Sequence, residues 1–199
     1  MIYQNEYMKR KRKQIKLLLR LYLGVQQLRY HPLKSLVLVV LIMLYGVVWK
    51  IKPYIYTIVD VPQMFVSVFD FAISFVLIVA CSLCVLAYIE KVGEVSARRD
   101  EACLIMAFKP QDLRNGHPIL FSKRKIKNSE VIVREFYSNI GMQRWCDLKG
   151  EIEDSLNVCL IAPYCEYGGK EKNKGNRIVL YAVPNRKLKD RGILYEDVF

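Results

Sequence analysis

The longest uncharged run in the sequence, Phe71–Ile89, restricts the possible folds of this chain more than any other feature. It contains 19 residues without Asp, Glu, Lys or Arg. A helix of about 20 apolar residues spans the hydrocarbon core of a bilayer, whereas a surface helix of a soluble protein has a polar face. Because the largely apolar residues 64–69 precede this run, we predict a transmembrane helix over residues 64–89.

A second apolar run, residues 35–49, also lacks charge. It is somewhat short for a span, but Lys34 and Lys50 can extend their ammonium groups to the membrane interfaces. We therefore predict a first transmembrane helix over residues 33–54 and a short outer loop over residues 55–63. The two spans together form a membrane α-helical hairpin.

Two residues near the outer ends of these spans carry predictions of their own. Pro53 favours the end of the first helix, because proline cannot continue the helical hydrogen-bond ladder. Asp70 lies near the start of the second helix and is expected at the interface, in contact with water. The alternative for Asp70 is a buried charge in an ion path.

The net charge of +12 is concentrated at the amino terminus, where residues 1–34 contain nine Lys or Arg against one Glu, giving +8. Basic residues beside a span favour the cytoplasmic side. More of them follow the second span than lie beside the loop: Lys91, Arg98 and Arg99 against Lys50 and Lys52. We therefore expect a two-pass protein of the cell membrane with both termini in the cytoplasm.

Residues 1–32 combine this basic charge with interleaved leucines. The pattern predicts a basic amphipathic cytoplasmic segment, a helix lying on the inner leaflet. Each basic residue near a surface of anionic lipids contributes about 1 kcal/mol to such binding. DNA remains an alternative partner, because Lys and Arg bind the phosphates of nucleic acids as well as they bind those of lipids.

The sequence offers no catalytic constellation. Cys81 and Cys84 form a C-x-x-C inside an apolar helix, where thiolates lack stabilisation, so we interpret them as packing residues. Residues 168–175, GGKEKNKG, do not have the spacing of a phosphate-binding loop. The other cysteines and the two histidines show no metal-ligand spacing. We therefore predict no catalytic, cofactor-binding or metal-binding residues and no enzyme activity.

The chain after Ile89 is predicted to be cytoplasmic. Glu90–Met106 continues the second span as a charged helix, and a connector completes residues 90–115. Residues 116–199 have the pattern of a small α+β domain of order β-β-α-β-β. Its predicted strands are Pro118–Ser122, Glu130–Tyr137, Asn157–Ala162 and Arg177–Val183, with a basic turn in the first pair and a Gly-rich connector in the second.

The helix between the strand pairs is predicted from one apolar stripe at steps of three and four residues. The stripe consists of Met142, Trp145, Leu148 or Lys149, Ile152 and Leu156. We expect Trp145 to pack this helix onto the sheet and Asn157 to end it. Gly150 in the middle of the helix costs roughly 1 kcal/mol relative to Ala.

Three stretches between Gly116 and about Asp197 carry a resemblance to a known family. They read HPILFSKRK, VIVREFYSNIGMQRWCDLKGEIEDSLNV and NRIVLYAVP. The segment resembles the region before the motor in FtsK/SpoIIIE-type DNA translocases, most closely the coupling proteins of Gram-positive integrative conjugative elements. The most telling positions are Trp145, Lys149, Ile152, Glu153, Leu156 and Asn157, followed by the strand that ends at Val183-Pro184. Those proteins also carry two spans before this region.

The resemblance implies a membrane-anchored pump that delivers DNA to a conjugative channel, with partners in the conjugation machinery or in a homo-oligomeric ring. In that family the ATPase motifs follow this region, and the sequence reaches Phe199 without them. We therefore expect a non-catalytic membrane anchor and interaction portion, truncated before the motor. The alternative is a stand-alone two-span membrane protein with a cytoplasmic regulatory or DNA-binding domain.

Overall fold

The computed structural model describes residues 2–58, 63–114, 116–169 and 171–184. They fall into two compact units, Met1–Val95 and Ser96–Phe199. The first unit contains α1 (Ile2–Tyr30), α2 (Pro32–Ile58), a 3-10 turn (Gln63–Phe65) and most of α3 (Val66–Ala107). The last turns of α3 belong to the second unit, together with a four-stranded antiparallel sheet and two short helices.

Two helices are long and apolar enough to cross a membrane: the stretch Pro32–Tyr54 of α2, and α3. In the most apolar stretch of each helix, no residue is buried in protein. Apolar side chains exposed over such a length are stable in lipid hydrocarbon but not in water. The two helices therefore indicate a membrane protein.

Helix α2 continues through Pro53 to Ile58, past the predicted end of the first span. A proline removes one N–H donor, but helices in membranes tolerate it where neighbouring groups satisfy the exposed carbonyl. Residues 55–58, predicted as the start of the outer loop, extend this helix instead. Residues 59–62 of the predicted loop lie outside the described residues.

An ion pair joins α2 to α3 close to Pro53. Lys52 Nζ lies 2.6 Å from Asp70 Oδ1, and it donates a hydrogen bond to Ser74 Oγ. Lys52 is buried, whereas the Asp70 side chain is half exposed. A fixed ammonium therefore neutralises this carboxylate where α2 and α3 pair.

Helix α1 packs against α3 at a contact between two glycines. A Cβ added to Gly24 would overlap the backbone carbonyl of Ile89, and a Cβ added to Gly93 would overlap that of Arg20. Small residues at such a crossing allow two helix backbones to approach closely. The contact therefore requires glycine on both helices.

The face of α1 at this contact contains buried polar side chains beside the buried Leu23. It carries Arg20 and Gln27, both buried, and Arg20 Nε lies 3.4 Å from Glu94 Oε2. The large apolar side chains Leu18 and Tyr22 are exposed instead. The predicted surface helix thus has one face packed on protein and a second, apolar face directed outward.

Replacing Gly93 with Leu should separate α1 from α3, because the new side chain would occupy the space of the Arg20 carbonyl. Overpacking of this kind costs about 1–3 kcal/mol, and more where backbone must move. The measurement is the thermal unfolding of the full chain in detergent micelles. Gly46→Leu is the matched control, since no heavy atom lies within 4 Å of a Cβ at that glycine. Equal stability of the two variants would contradict the glycine contact.

The sheet of the second unit contains β1 (Ile119–Lys125), β2 (Ile132–Tyr137), β3 (Val158–Gly168) and β4 (Lys174–Pro184), in spatial order β1-β2-β4-β3. Two antiparallel hairpins, β1–β2 and β3–β4, are joined by the pairing of β2 with β4. Strands β1 and β3 therefore form the two edges. All four predicted strands are present, but their bounds differ from the prediction.

Strand β1 continues to Lys125, three residues past its predicted end at Ser122. The first three residues of the basic stretch predicted as a turn, Lys123 to Lys125, are still strand. Lys123 lies opposite Arg134 in the β1–β2 register. Lys123 Nζ lies 2.8 Å from the buried carboxylate of Asp100. The counter-charge keeps this lysine in the strand, and the turn begins only at Ile126.

Strand β3 is also longer than predicted, because it resumes after Pro163 and runs to Gly168. Proline cannot donate to a sheet ladder, so the sequence predicts an end at Ala162. The register shifts between Leu160 and Cys165, after which pairing with β4 continues. A proline is tolerated here because β3 lies at the edge of the sheet.

The predicted order β-β-α-β-β needs a correction, since the single helix is two helices, α4 (Met142–Asp147) and α5 (Lys149–Leu156). Between them Leu148 has φ of −93° and ψ of 22°, outside the helical region. Gly150, a weak helix former, follows two residues later. Asn157 ends α5 in a left-handed conformation, with φ of 51°, which confirms its predicted role.

Trp145 lies at the centre of the core of the second unit. Its side chain is 1% exposed, and its ring centroid lies 4.9 Å from that of Phe108 and 5.6 Å from that of Phe136 on β2. The predicted stripe survives the break between α4 and α5, because these residues are also buried: Leu148, Ile152 and Leu156. The packing role predicted for Trp145 is confirmed.

Candidate functional site

Three charged residues meet where α3 packs on the sheet, and we call them the Asp100 cluster. Asp100 lies on α3, Lys123 on β1 and Arg134 on β2. Asp100 Oδ2 lies 2.8 Å from Lys123 Nζ and accepts a hydrogen bond of 3.2 Å from Arg134 Nε. Asp100 is 3% exposed and Arg134 is 5% exposed. One carboxylate therefore holds two cations from neighbouring strands.

Burial makes the Asp100 cluster energetically demanding. Asp100 and Arg134 lose their hydration, and the Coulombic attraction of a buried pair does little more than offset that loss. Lys123 adds a second cation to the cluster, where its side chain stays 29% exposed. Arg134 Nη1 is buried and has no hydrogen-bond partner among the described residues. Such an arrangement is costly for stability alone, which makes the cluster a candidate functional site.

Sequence reasoning does not find the Asp100 cluster, although one signal for it is present. Side chains alternate between the faces of a strand, so Arg134 shares a face with Ile132 and Phe136 in VIVREFY. Phe136 is completely buried, and the arginine beside it therefore enters the interior. This signal predicts a buried counter-charge but not its position, because Asp100 is 34 residues away.

A second carboxylate of α3, that of Glu101, binds the edge of the sheet. Its Oε1 accepts a hydrogen bond of 2.8 Å from the backbone N–H of Leu120 on β1. Farther along, Arg144 of α4 donates a hydrogen bond of 3.1 Å to Asp112. These contacts surround the aromatic core with charged hydrogen bonds, which are stronger and more directional than neutral ones.

The positions that carry the family resemblance all serve packing. Lys149 Nζ lies 3.4 Å from the ring centroid of Tyr164, and Glu153 Oε1 accepts a hydrogen bond of 2.9 Å from Leu160 N–H. The other four provide three core side chains and the helix end: Trp145, Ile152, Leu156 and Asn157. The resembling pattern therefore describes how two helices dock on a sheet, and it assigns no chemistry.

The sheet face away from α4 and α5 carries a polar network. Lys172 Nζ lies 2.7 Å from Glu166 Oε2, and Tyr181 Oη donates a hydrogen bond of 3.2 Å to the same oxygen. The hydrogen bond that Lys172 donates to Glu166 lowers the pKa of Glu166 and raises the pKa of Lys172. Burial and the neighbouring carboxylate raise the pKa of Tyr181.

A second pair on this face involves Arg177 of β4. Its guanidinium stacks 4.0 Å from the ring centroid of Phe121, and Nη1 donates to Glu135 at 3.4 Å. Stacking of this kind suits arginine, because its charge is delocalised over a plane. This face of the sheet therefore carries opposite charges in pairs.

Burial keeps the thiol of Cys165, a residue of β3, in its protonated form. Burial, reinforced by a hydrogen bond with the thiol of Cys146, raises the pKa of the Cys165 thiol to about 12. Reactive cysteines have thiol pKa values well below the ordinary range. Among the described residues, no group of three or more His, Cys, Asp or Glu has an arrangement that could hold a metal ion.

Comparisons with known proteins give one weak structural similarity. No protein-family model matches the chain, and no curated protein matches it. A solved structure of the pCW3 conjugation coupling protein TcpA, in its monomer form with ATPgS, is similar at a TM-score of 0.35 and 20% identity. The match covers 43% of this chain and 23% of that chain. A TM-score of this size does not establish a shared fold.

Replacing Asp100 with Ala should destabilise the second unit by about 3–5 kcal/mol, because Arg134 would remain buried without its counter-charge. The free energy of unfolding can be measured with urea in detergent micelles, from the fluorescence of Trp145 in a Trp49→Phe background. Asp147→Ala is the control, since Asp147 is an exposed residue of α4 and should change stability by about 0.5 kcal/mol or less. Equal effects of the two substitutions would show that the Asp100 cluster contributes nothing.

Cys165 should resist alkylation by iodoacetamide at pH 8.5, where a pKa of about 12 leaves only about one thiol in three thousand ionised. Exposed Cys146 should react, and both should react after unfolding in urea. Because the folded chain holds this proton more tightly than the unfolded chain, the associated stability should decline from about pH 9 upward. Mass spectrometry of tryptic peptides measures the labelling, and equal rates for the two thiols would contradict the assignment.

Proposed function

We propose that this chain is the non-catalytic membrane anchor and interaction portion of a conjugative DNA-translocation protein of the FtsK/SpoIIIE type. The ATPase motor would be supplied by residues that this sequence does not contain. The carrying observation is a combination: two apolar helices are followed by an α+β unit whose family-resembling residues all pack helices on a sheet. The proposal rests on this order and on the sequence resemblance, not on the weak structural similarity.

The two helices would cross the cell membrane as a hairpin, with both termini in the cytoplasm. Support comes from the basic residues that flank them, which lie mainly before the first span and after the second. The Lys52–Asp70 pair would then lie at the outer end of the hairpin. Helix α3 would connect the bilayer to the α+β unit without an intervening linker, because its last turns are part of that unit.

The α+β unit would contact the motor or a neighbouring copy in a ring. Its helix-covered face is occupied by α4 and α5, so the partner would meet the opposite face, with its Glu166 and Arg177 networks. Charged and aromatic side chains of this kind favour a specific contact that can be reversed. A homo-oligomer and a contact with another conjugation protein both satisfy this chemistry.

Helix α1 would lie against anionic lipid at the inner leaflet. Its exposed face combines Leu18, Tyr22 and Val25, and basic residues precede them along the helix. Apolar side chains enter the headgroup region while Lys and Arg bind lipid phosphates, which is how interfacial helices attach. The exposed cations Arg10, Lys11 and Lys13 favour DNA as the second candidate partner, although DNA gives the exposed apolar side chains no partner.

Donor cells that lack this chain should transfer their conjugative element at a much lower frequency, and the intact chain should restore transfer. A Leu83→Arg variant should fail to restore it, because a charge at an exposed position of the second span costs about 2.5–3.5 kcal/mol on insertion. Ile126→Arg is the matched control, since Ile126 is similarly exposed but lies in the β1–β2 turn.

Unchanged transfer without the chain would contradict the proposed role in conjugation. Mg²⁺-dependent ATP hydrolysis by the purified chain would contradict the non-catalytic part of the proposal. Restoration of transfer by both arginine variants would show that membrane insertion is not needed.

A further inference from the structure

A cavity of about 230 Å³ opens beside the Asp100 cluster. Its charged walls come from three elements: Arg99 and Asp100 of α3, Lys123 of β1 and Arg134 of β2. We propose that this cavity binds the phosphate group of a small molecule, either inorganic phosphate or a terminal phosphomonoester. This site does not depend on a role in conjugation, and its ligand is distinct from the lipid and protein partners of the proposed function.

The charge of the cavity selects an anion. Among the described residues that line it, three are cations and one is a carboxylate, which gives a formal charge of +2. The carboxyl end of α5 at Asn157 also borders the cavity, but a helix end contributes only about half of a negative charge. A cation would compete for Asp100 Oδ2, which both Lys123 and Arg134 already occupy. The cationic side chains therefore determine which ligand is favoured.

Arg134 supplies a donor that the described part of the chain does not satisfy. The guanidinium is fixed by its hydrogen bond from Nε to Asp100, and Nη1 is buried without a partner among the described residues. A buried donor without a partner costs more than an exposed one, because nothing replaces the water that it lost. Because Arg134 lines the adjacent cavity, an acceptor-rich anion bound there would offer this guanidinium the acceptor that it lacks.

The number and spread of the donors favour phosphate over carboxylate. Arg99, Lys123 and Arg134 approach the cavity from three separate elements, and a tetrahedral phosphate has oxygens directed to each. A carboxylate has two oxygens in one plane and would meet donors from fewer directions. The volume is below the 300–1,000 Å³ typical of sites for larger ligands, so the ligand is small.

The position of Arg99 provides a clean test. Arg99 is exposed and lines the cavity, whereas its neighbour Arg98 is equally exposed on α3 and does not line it. Both substitutions, Arg99→Gln and Arg98→Gln, remove one positive charge from the surface of the same helix. Only Arg99→Gln removes a charged side chain that lines the cavity. Neither substitution changes the buried Asp100–Arg134 pair.

The full chain in detergent micelles should be titrated calorimetrically with inorganic phosphate, with adenosine monophosphate and with adenosine, each to about 10 mM so that millimolar dissociation constants are detected. We expect the two phosphates to bind and adenosine not to bind. Arg99→Gln should weaken binding about tenfold, as expected for loss of one charge-assisted hydrogen bond, and Arg98→Gln by about twofold or less. Tighter binding of adenosine monophosphate than of phosphate would assign the site to a phosphomonoester, and the reverse to free phosphate.

Two results would overturn the proposal. The first is the absence of binding heat and of thermal stabilisation with both phosphates. The second is an equal effect of Arg98→Gln and Arg99→Gln, including no effect of either, because the phosphate would then bind elsewhere or only through overall charge. Each variant's unfolding temperature without ligand should match that of the original chain, which separates lost binding from lost folding.

Discussion

The carboxylate of Asp100 is the group on which the arrangement of the second unit depends. Apolar contact between a helix and a sheet has no direction, so it permits several alignments of similar free energy. The Asp100 cluster favours a single alignment, because the desolvation of Asp100 and Arg134 is offset only where the two side chains meet, and Lys123 reaches the same carboxylate oxygen. The aromatic core around Trp145 then forms against a helix whose register is already fixed.

The two units use polar groups in opposite ways. In the membrane helices, Lys52 and Asp70 neutralise each other at one end, and the close α1–α3 contact is made by Gly24 and Gly93. In the α+β unit, unequal numbers of charges are gathered at the helix–sheet junction. The first arrangement pairs one cation with one anion, whereas the second gathers two cations around one carboxylate beside a cavity.

How much of this can be predicted from the sequence depends on how local the signal is. The apolar runs, the Trp145 stripe and the helix end at Asn157 are compositional or periodic, and each is visible within a few turns of chain. The extension of β1 depends on Asp100, and the extension of β3 past Pro163 depends on its place at the sheet edge, so neither is local. The candidate site is less predictable still. The alternation of side chains in β2 predicts that Arg134 points into the interior, but it does not predict which residue Arg134 contacts.

Both borders of the sheet discourage strand exchange between copies of the chain. The irregular register around Pro163 interrupts the outer hydrogen-bonding groups of β3, and Glu101 already occupies the N–H of Leu120 on β1. Basic residues at the end of β1 would repel an identical strand laid beside them. Chains concentrated on one patch of membrane can therefore touch through side chains without fusing their sheets into a fibril.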